Sequence, residues 1–233
     1  MNAVITGASK GIGKAVSLYL ANKSYNLAIC ARNKKDLMNF HDLLSKDFPK
    51  VNVFSMVADM SNKQDIEKFA QMIKVNMETV DVLVNNAGIY LPGEVHTEED
   101  GVLEKLTEVN VYGPYRLTRA LIPHFLKQKS GFIFNICSVA SLLAYPNGGS
   151  YSITKFALHG FTKVLREELK DKGIKVCGIF PGATWSNSWA GVDLPKERLM
   201  EAEDIAKAIG LQLELSPSAV MEDIILRPQL GDL

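Results

Sequence analysis

The sequence predicts an α/β fold: a doubly wound, parallel sheet of seven strands with helices on both faces. Three observations carry this expectation. Short apolar runs alternate with helical stretches along all 233 residues. No linker, repeat or low-complexity segment interrupts them, so a single domain over residues 1–233 is expected. The short runs are apolar throughout rather than alternating, which suits strands buried on both faces of a parallel sheet.

In order, residues 4–6 read as a short buried strand. Residues 13–23 follow as a helix with Ala15, Val16, Leu18, Tyr19 and Leu20 at helical spacing. A second strand over 26–31 leads to a charged helix over 34–46. Residues 51–58 form a third strand, 62–76 an amphipathic helix and 82–85 a fourth strand. After a loop, a long helical region runs over 98–127, with a kink expected at Gly113-Pro114. Residues 132–137 are a fifth strand, and the turn-forming run Tyr145-Pro146-Asn147-Gly148-Gly149 opens a helix that ends near Gly173. A sixth strand over 175–180 precedes an irregular segment to about Met200, a helix over 202–215 and a seventh strand over 221–226.

Composition narrows the function classes. Hydrophobic residues make up 47% and charged residues 22%, an ordinary globular balance. The formal net charge is +0 without a block of like charge, which argues against nucleic acid or an anionic membrane as partner. No apolar run approaches the roughly 20 residues of a membrane helix. The opening Met1-Asn2-Ala3-Val4-Ile5-Thr6-Gly7 reads as a core strand rather than a leader. Cys30, Cys137 and Cys177 have no framework spacing and lie in apolar runs, which points to a reducing compartment, with the cytoplasm as the expected location. His41, His96, His124 and His159 lack metal-ligand spacing, so surface or packing roles are expected for them and no metal.

In a doubly wound sheet the ligand lies beyond the carboxyl ends of the strands. The first of these ends carries Thr6-Gly7-Ala8-Ser9-Lys10-Gly11-Ile12-Gly13. Its spacing is Gly-x-x-x-Gly-x-Gly rather than the commoner Gly-x-Gly-x-x-Gly. Such a loop lets backbone approach a phosphate at a helix N-terminus, so a nucleotide cofactor is expected there. After the second strand come Ala31 and Arg32, with no acid until Asp36. Arg32, with Lys10 as a second positive charge, suits a 2′-phosphate and argues for NADP(H) over NAD. Asp59-Met60 follows the third strand, where Asp59 could accept from an adenine amino group or cap the next helix. Asn85-Asn86-Ala87-Gly88 follows the fourth, with side chains able to brace loops and small residues that leave room for a flat ring. Ser138 follows the fifth strand and Pro181-Gly182 the sixth.

Tyr151 and Lys155 are four residues apart on one helix, so they share a face. A fixed ammonium favours the phenolate of a neighbouring Tyr, which can then give or take a proton. Gly-x-Ser-x-Gly is absent, so Ser138 is not read as a hydrolase nucleophile.

The set Thr-Gly-x-x-x-Gly-x-Gly at 6–13, Asn-Asn-Ala-Gly at 85–88, Ser138, Tyr151-x-x-x-Lys155 and Pro181-Gly182 resembles the short-chain dehydrogenase/reductase family over essentially the whole chain. The resemblance implies a Rossmann fold and hydride transfer between a nicotinamide cofactor and a carbonyl or alcohol. It implies that Tyr151 is the acid/base, that Lys155 holds the nicotinamide ribose, and that Ser138 orients the carbonyl. Asn110 matches the Asn that closes a proton relay through water. Gly7, Ser9, Lys10, Gly11, Ile12, Gly13, Arg32, Asp59, Met60, Asn86, Ala87, Gly88, Pro181, Gly182 and Thr184 would hold the cofactor. After Pro-Gly the family often has a β-branched residue and a nicotinamide-binding Thr; here Thr184 and Ser186 fall near those places. The chain stops soon after the seventh strand, which leaves less C-terminal material to wall a substrate pocket.

Substrate contacts are expected from Ile89, Tyr90 and Leu91, from residues 141–145 and from residues 184–200. Trp185 and Trp189 in the last segment either face an apolar substrate or pack the segment down. Within the family the likeness is to 3-oxoacyl-acyl-carrier-protein reductases and broad carbonyl reductases. An acidic carrier would want a basic patch, for which Arg116, Arg119, Lys127 and Lys129 are candidates. A cofactor-sensing protein that had lost catalysis would be expected to lose Tyr151 or Lys155, and both are present. Homodimers or homotetramers are implied by the resemblance, paired through helices over 98–127 and 151–171, with Phe156, Leu158 and Phe161 giving the second helix extra apolar surface.

Overall fold

A computed structural model of the chain describes residues 1–185 and 195–231. Its elements run β1 (Asn2–Thr6), α1 (Gly11–Asn22), β2 (Asn26–Ala31), α2 (Lys34–Asp47), β3 (Val53–Val57), α3 (Lys63–Asn76), β4 (Val82–Asn85), α4 (Val102–Thr107), a π turn (Glu108–Tyr112), α5 (Gly113–Gln128), β5 (Gly131–Ile136), α6 (Gly149–Leu169), β6 (Ile174–Pro181), α7 (Ala202–Glu214) and β7 (Asp223–Leu226). The strands form one parallel sheet in the order β3-β2-β1-β4-β5-β6-β7. The direction of winding reverses between β1 and β4, and a crevice opens there at the carboxyl ends of the strands.

Alternate residues of each central strand serve opposite faces. Ala3 and Ile5 of β1 pack with Val16 and Leu20 of α1, Leu37 and Phe40 of α2, and Ile205 and Ile209 of α7. Val4, between them, joins Ile66 and Phe69 of α3, Leu117 and Leu121 of α5, and Leu165 and Leu169 of α6. Burial on both faces explains the unbroken apolar runs of the sequence. No helix of the described residues is long and apolar enough to cross a membrane.

Some element bounds differ from those expected. The helical region expected over 98–127 begins only at Val102: residues 98–101 are turn and loop, with Gly101 at φ +91 just before α4. Helical backbone then runs unbroken from Val102 to Gln128, with the π turn over Glu108–Tyr112 between α4 and α5 and Pro114 directly after it. The third strand is shorter than residues 51–58 and α6 ends at Leu169, continued by a short 3-10 turn to Lys172.

Candidate active site

The glycine loop is held from two sides. Thr6 Oγ1 accepts from the backbone amides of Asn86 (3.0 Å) and Ala87 (2.9 Å). Asn86 Nδ2 donates back to the carbonyls of Thr6 (2.9 Å) and Gly7 (3.1 Å). The loop is thus tied to the end of β4 at the switch in strand order. Gly7 has φ +64, a conformation that favours glycine. A Cβ on Gly13 would lie 2.4 Å from the Gly7 carbonyl oxygen, so α1 meets the loop at a distance that no side chain permits. No side chain caps the N-terminus of α1, which leaves its amides facing the cleft for an anion. Ser9, Lys10, Gly11 and Ile12 line the cleft above it.

At the far end of the cleft Arg32 is exposed and has no ion-pair partner among the described residues. Lys10 is not a free second charge: its ammonium lies 2.7 Å from Asp36, whose backbone amide donates to Asn33 Oδ1 at the start of α2. Asp59 lines the cleft, with Oδ1 accepting from the amide and hydroxyl of Ser61, both at 2.8 Å. Capping of α3 falls to Asn62 instead, whose Oδ1 accepts from Gln64 and Asp65. Met60 is buried beside Asp59, with its carbonyl close to Gly113 of α5.

Tyr151 and Lys155 rise from the first turns of α6, as their spacing predicts. Lys155 is 6% exposed; its ammonium donates to the Ile136 carbonyl at 2.9 Å and stands 5.7 Å from the centre of the Tyr151 ring. Ser138 follows β5 and accepts at Oγ from the Ala140 amide at 3.2 Å. That bond uses an oxygen lone pair and leaves the hydroxyl hydrogen free to be donated. Ser138, Tyr151 and Lys155 line one cleft.

Asn110 lies in the π turn, is 1% exposed and does not line the cleft. Its Nδ2 donates to the Ile89 carbonyl and to Thr154 Oγ1, both at 3.0 Å, and its Oδ1 accepts from the Ile89 amide at 2.9 Å. Both amide hydrogens are therefore committed to fastening the loop after β4 onto α6. Ala87 and Gly88 of that loop line the cleft, as do Pro181, Gly182 and Thr184 after β6. Thr184 Oγ1 donates to the Gly182 carbonyl at 2.9 Å.

Of the expected substrate contacts, Ile89, Tyr90, Leu143, Ala144 and Tyr145 line the cleft. The Tyr90 ring meets Tyr151 edge to face, 4.8 Å between centres. Burial, together with the phenols of Tyr90 and Tyr151, pushes the Tyr145 phenol well above its ordinary range. Trp185 is 51% exposed and does not line the cleft, while Ser186 and Trp189 lie outside the described residues. The cleft holds about 1430 Å³, more than the roughly 300–1,000 Å³ of a usual small-molecule pocket and enough for a dinucleotide with a second ligand beside it.

Three features were invisible in the sequence. Glu98 reaches across to α6 and accepts from the Ser150 amide at 2.9 Å and from the Ser150 hydroxyl. Below the site, Asn85 Nδ2 donates to Asn135 Oδ1 (2.8 Å) and Thr118 Oγ1, and Asn135 Nδ2 donates to Thr162 Oγ1 (2.9 Å), a buried polar chain joining β4, β5, α5 and α6. His159 takes the packing role of the two expected for it, and what the sequence did not show is its partner: buried and outside the cleft lining, it lies 3.2 Å from Asp223, which also pairs with Arg166. The basic patch considered for an acidic carrier is largely engaged elsewhere. Arg116 pairs with Glu108 at 2.7 Å and stacks on Tyr112, and Arg119 stacks on Tyr115.

The family model described as short chain dehydrogenase matches residues 1–195. An uncharacterized oxidoreductase of Staphylococcus aureus strain USA300 is 29% identical over 226 residues, 97% of this chain and 96% of that protein. Among solved structures, the chain is similar to an alcohol dehydrogenase from the archaeon Thermococcus sibiricus complexed with 5-hydroxy-NADP. That likeness has TM-score 0.92 and 28% identity, and covers 99% of this chain and 97% of the other. It is also similar to L-sorbose reductase from Gluconobacter frateurii complexed with NADPH and L-sorbose, with TM-score 0.88 and 25% identity over 97% and 94% of the two chains. With the family model matching residues 1–195, the chain belongs to the short chain dehydrogenase family of oxidoreductases.

Proposed function

We propose that this protein is an NADPH-dependent oxidoreductase that reduces a ketone or aldehyde, or oxidises the matching secondary alcohol, with Tyr151 as the acid/base. The observation that carries the reading is the convergence of Ser138, Tyr151 and a buried Lys155 on one cleft that also contains the glycine loop. The residues present fit a dinucleotide: Gly7 and Gly13 keep the loop clear of side chains, and the uncapped α1 offers amides to a pyrophosphate. Gly7, Ser9, Lys10, Gly11, Ile12 and Gly13 would hold the phosphates, Arg32 a 2′-phosphate, and Asp59 and Met60 the adenine. Asn86, Ala87, Gly88, Lys155, Pro181, Gly182 and Thr184 would hold the ribose and nicotinamide. The relatives solved with NADPH or an NADP derivative support this choice of cofactor.

When bound, the reduced cofactor supplies the hydride. Ser138 then donates its free hydrogen to the carbonyl oxygen, and Tyr151 delivers a proton to that oxygen as charge develops on it. Lys155, pinned by the Ile136 carbonyl, supplies positive charge beside the phenol that loses the proton. Asn110 acts indirectly, because its side chain fixes Ile89 and Thr154 around the reacting residues. Pairing of two or four copies is part of this reading. Leu103, Tyr112, Tyr115, Ile153, Phe156 and Val164 leave large apolar side chains exposed on α4, the π turn, α5 and α6, which favours an interface there.

The test is NADPH oxidation with a panel of activated carbonyls, compared between the wild type and Tyr151→Phe. The variant should lose roughly 10²–10⁴-fold in turnover while binding NADPH as before. An active Tyr151→Phe protein would overturn the assignment.

A further inference from the structure

Among the described residues, the cleft is charged at one end and uncharged at the other. Lys10, Arg32, Asp36 and Asp59 line it beyond β1, β2 and β3. Beside Ser138 and Tyr151 the described lining is Ile89, Tyr90, Leu143, Ala144, Tyr145 and Pro146, without a carboxylate, ammonium or guanidinium among them. Lys155 is the cation closest to this end, and its ammonium already donates to the Ile136 carbonyl. A carboxylate or phosphate on a substrate would therefore lose its water here without gaining a counter-charge from the described wall.

The same wall leaves apolar surface open inside a concavity. Leu143 is 62% exposed, Tyr90 42% and Tyr145 40%. Tyr90 is fixed edge-on against Tyr151, so its ring and that of Tyr145 present aromatic surface next to the reacting hydroxyl. Flat rings pack well against such edges and faces.

We propose that the substrates are uncharged carbonyl compounds carrying a flat apolar ring next to the carbonyl, with the ring lodged against Tyr90 and Tyr145. The inference rests on the reductase reading and names its substrate class. The probes are methyl benzoylformate and benzoylformate, which share ring and keto group and differ only in ester against carboxylate, with diacetyl as a ringless third. In each, the keto carbon takes up a hydride and its oxygen a proton, giving the alcohol as one NADPH becomes NADP⁺.

The ester should exceed the acid in kcat/KM by about 100-fold, in keeping with the cost of an unpaired buried charge. It should also exceed diacetyl. Leu143→Arg, which places a cation on the wall, should narrow the ester-to-acid ratio by about tenfold by improving the acid. Tyr145→Ala should raise KM for the ester. Equal reduction of acid and ester, preference for diacetyl, or an unchanged ester KM in Tyr145→Ala overturns this inference and leaves the reductase reading standing. A protein that binds NADPH yet oxidises it with none of the three probes overturns both.

Discussion

Glu98 accepts from the Ser150 amide at 2.9 Å across 52 residues of sequence, so the helix that carries Tyr151 is capped from another segment of the chain. The N-cap of α6 is Gly148, which offers no side-chain acceptor of its own. A Cβ on Gly149 would lie 2.1 Å from Glu98 Oε1, so the carboxylate sits directly over the first turn. Capping of this kind is worth about 0.5–2 kcal/mol, with a further contribution from a negative charge at the helix start. Glu98 does not line the cleft, so an effect on turnover would have to pass through the position of Tyr151. Glu98→Ala should lower kcat on the order of tenfold, because small misplacements of a reacting group are costly. The NADPH dissociation constant should hold, and Glu98→Gln, which still accepts from Ser150, should restore most of the rate. Steady-state kinetics with an NADPH titration separates this from general loss of fold, which would move both constants.

Under the proposed reading, cofactor choice should turn on three charges at the end of the cleft. Arg32 stands without an ion-pair partner among the described residues, whereas Lys10 is held by Asp36 at 2.7 Å. An NADPH phosphate arriving at this end would meet Arg32 and Lys10 as attractive groups and Asp36 as a repulsive one. Arg32→Asp should therefore weaken NADPH by roughly tenfold or more and leave NADH little changed, since a pair with a charged group contributes about 1.5–3 kcal/mol. Asp36→Asn should act in the opposite direction and tighten NADPH several-fold by releasing Lys10. Fluorescence titration of both cofactors against the two variants decides it. An NADH preference untouched by Arg32→Asp would remove Arg32 from the site.

Much of the site is legible in the sequence because strand ends bring distant motifs together by topology alone. Once β1, β4, β5 and β6 are recognised as parallel neighbours, Gly7, Asn86, Ser138 and Gly182 must gather at one edge. Tyr151 and Lys155 needed only helical spacing. Asn86 braces the glycine loop, as its pairing with Asn85 suggested, because its side chain reaches one strand over. Contacts between elements that no motif announces were not legible. Glu98 stands in the acidic run Thr97-Glu98-Glu99-Asp100, which reads as the start of a helix, and nothing local says that it bonds to Ser150. The π turn around Asn110 has no sequence signature, and Lys10 reads as a free charge until Asp36 is folded against it.

The cysteines predict an alkaline limit to stability. Cys30, Cys137 and Cys177 are all nearly or wholly buried, and burial pushes their thiols up to about 12, about 11 and about 12. In the unfolded chain a thiol titrates near about 8.5. Above that pH the unfolded state gives up protons that the folded state keeps, so folding stability is full below it and falls as pH rises toward the folded values. Buried Tyr25, whose phenol is also raised chiefly by burial, adds to the trend with the same sign. Each thiol contributes a slope of roughly 1.4 kcal/mol per pH unit in that window. Thermal unfolding from neutral to alkaline pH should show a falling midpoint, and Cys177→Ala should make the fall shallower. Thiol reagents should find the three groups slow in the native protein and quick after denaturation. A flat midpoint through the thiol range would contradict the burial.

Two glycines separate space needed for the cofactor loop from space that is merely open. A Cβ on Gly13 would lie 2.4 Å from the Gly7 oxygen and 2.5 Å from Asn86 Nδ2, and the nearer atom belongs to backbone that is itself held by Asn86. The added methyl must push α1 away from the loop or break the Asn86 brace, and either change moves the amides that face the cleft. Gly13→Ala should therefore lose NADPH binding by at least about tenfold, given how steeply binding depends on placement. Gly160, in the middle of α6, meets nothing within 4 Å, so its Cβ is free of the chain. There the replacement of glycine by alanine raises helix propensity, and Gly160→Ala should stabilise a single copy by about 0.5–1 kcal/mol without altering NADPH affinity. Gly160 does, however, share the α6 face of Phe156 and Val164 that is proposed for pairing. Denaturant unfolding and an NADPH titration on the same two variants test both halves. Equal NADPH binding by the wild type and Gly13→Ala would mean that the loop does not hold the cofactor as the close contact between Gly13 and Gly7 requires.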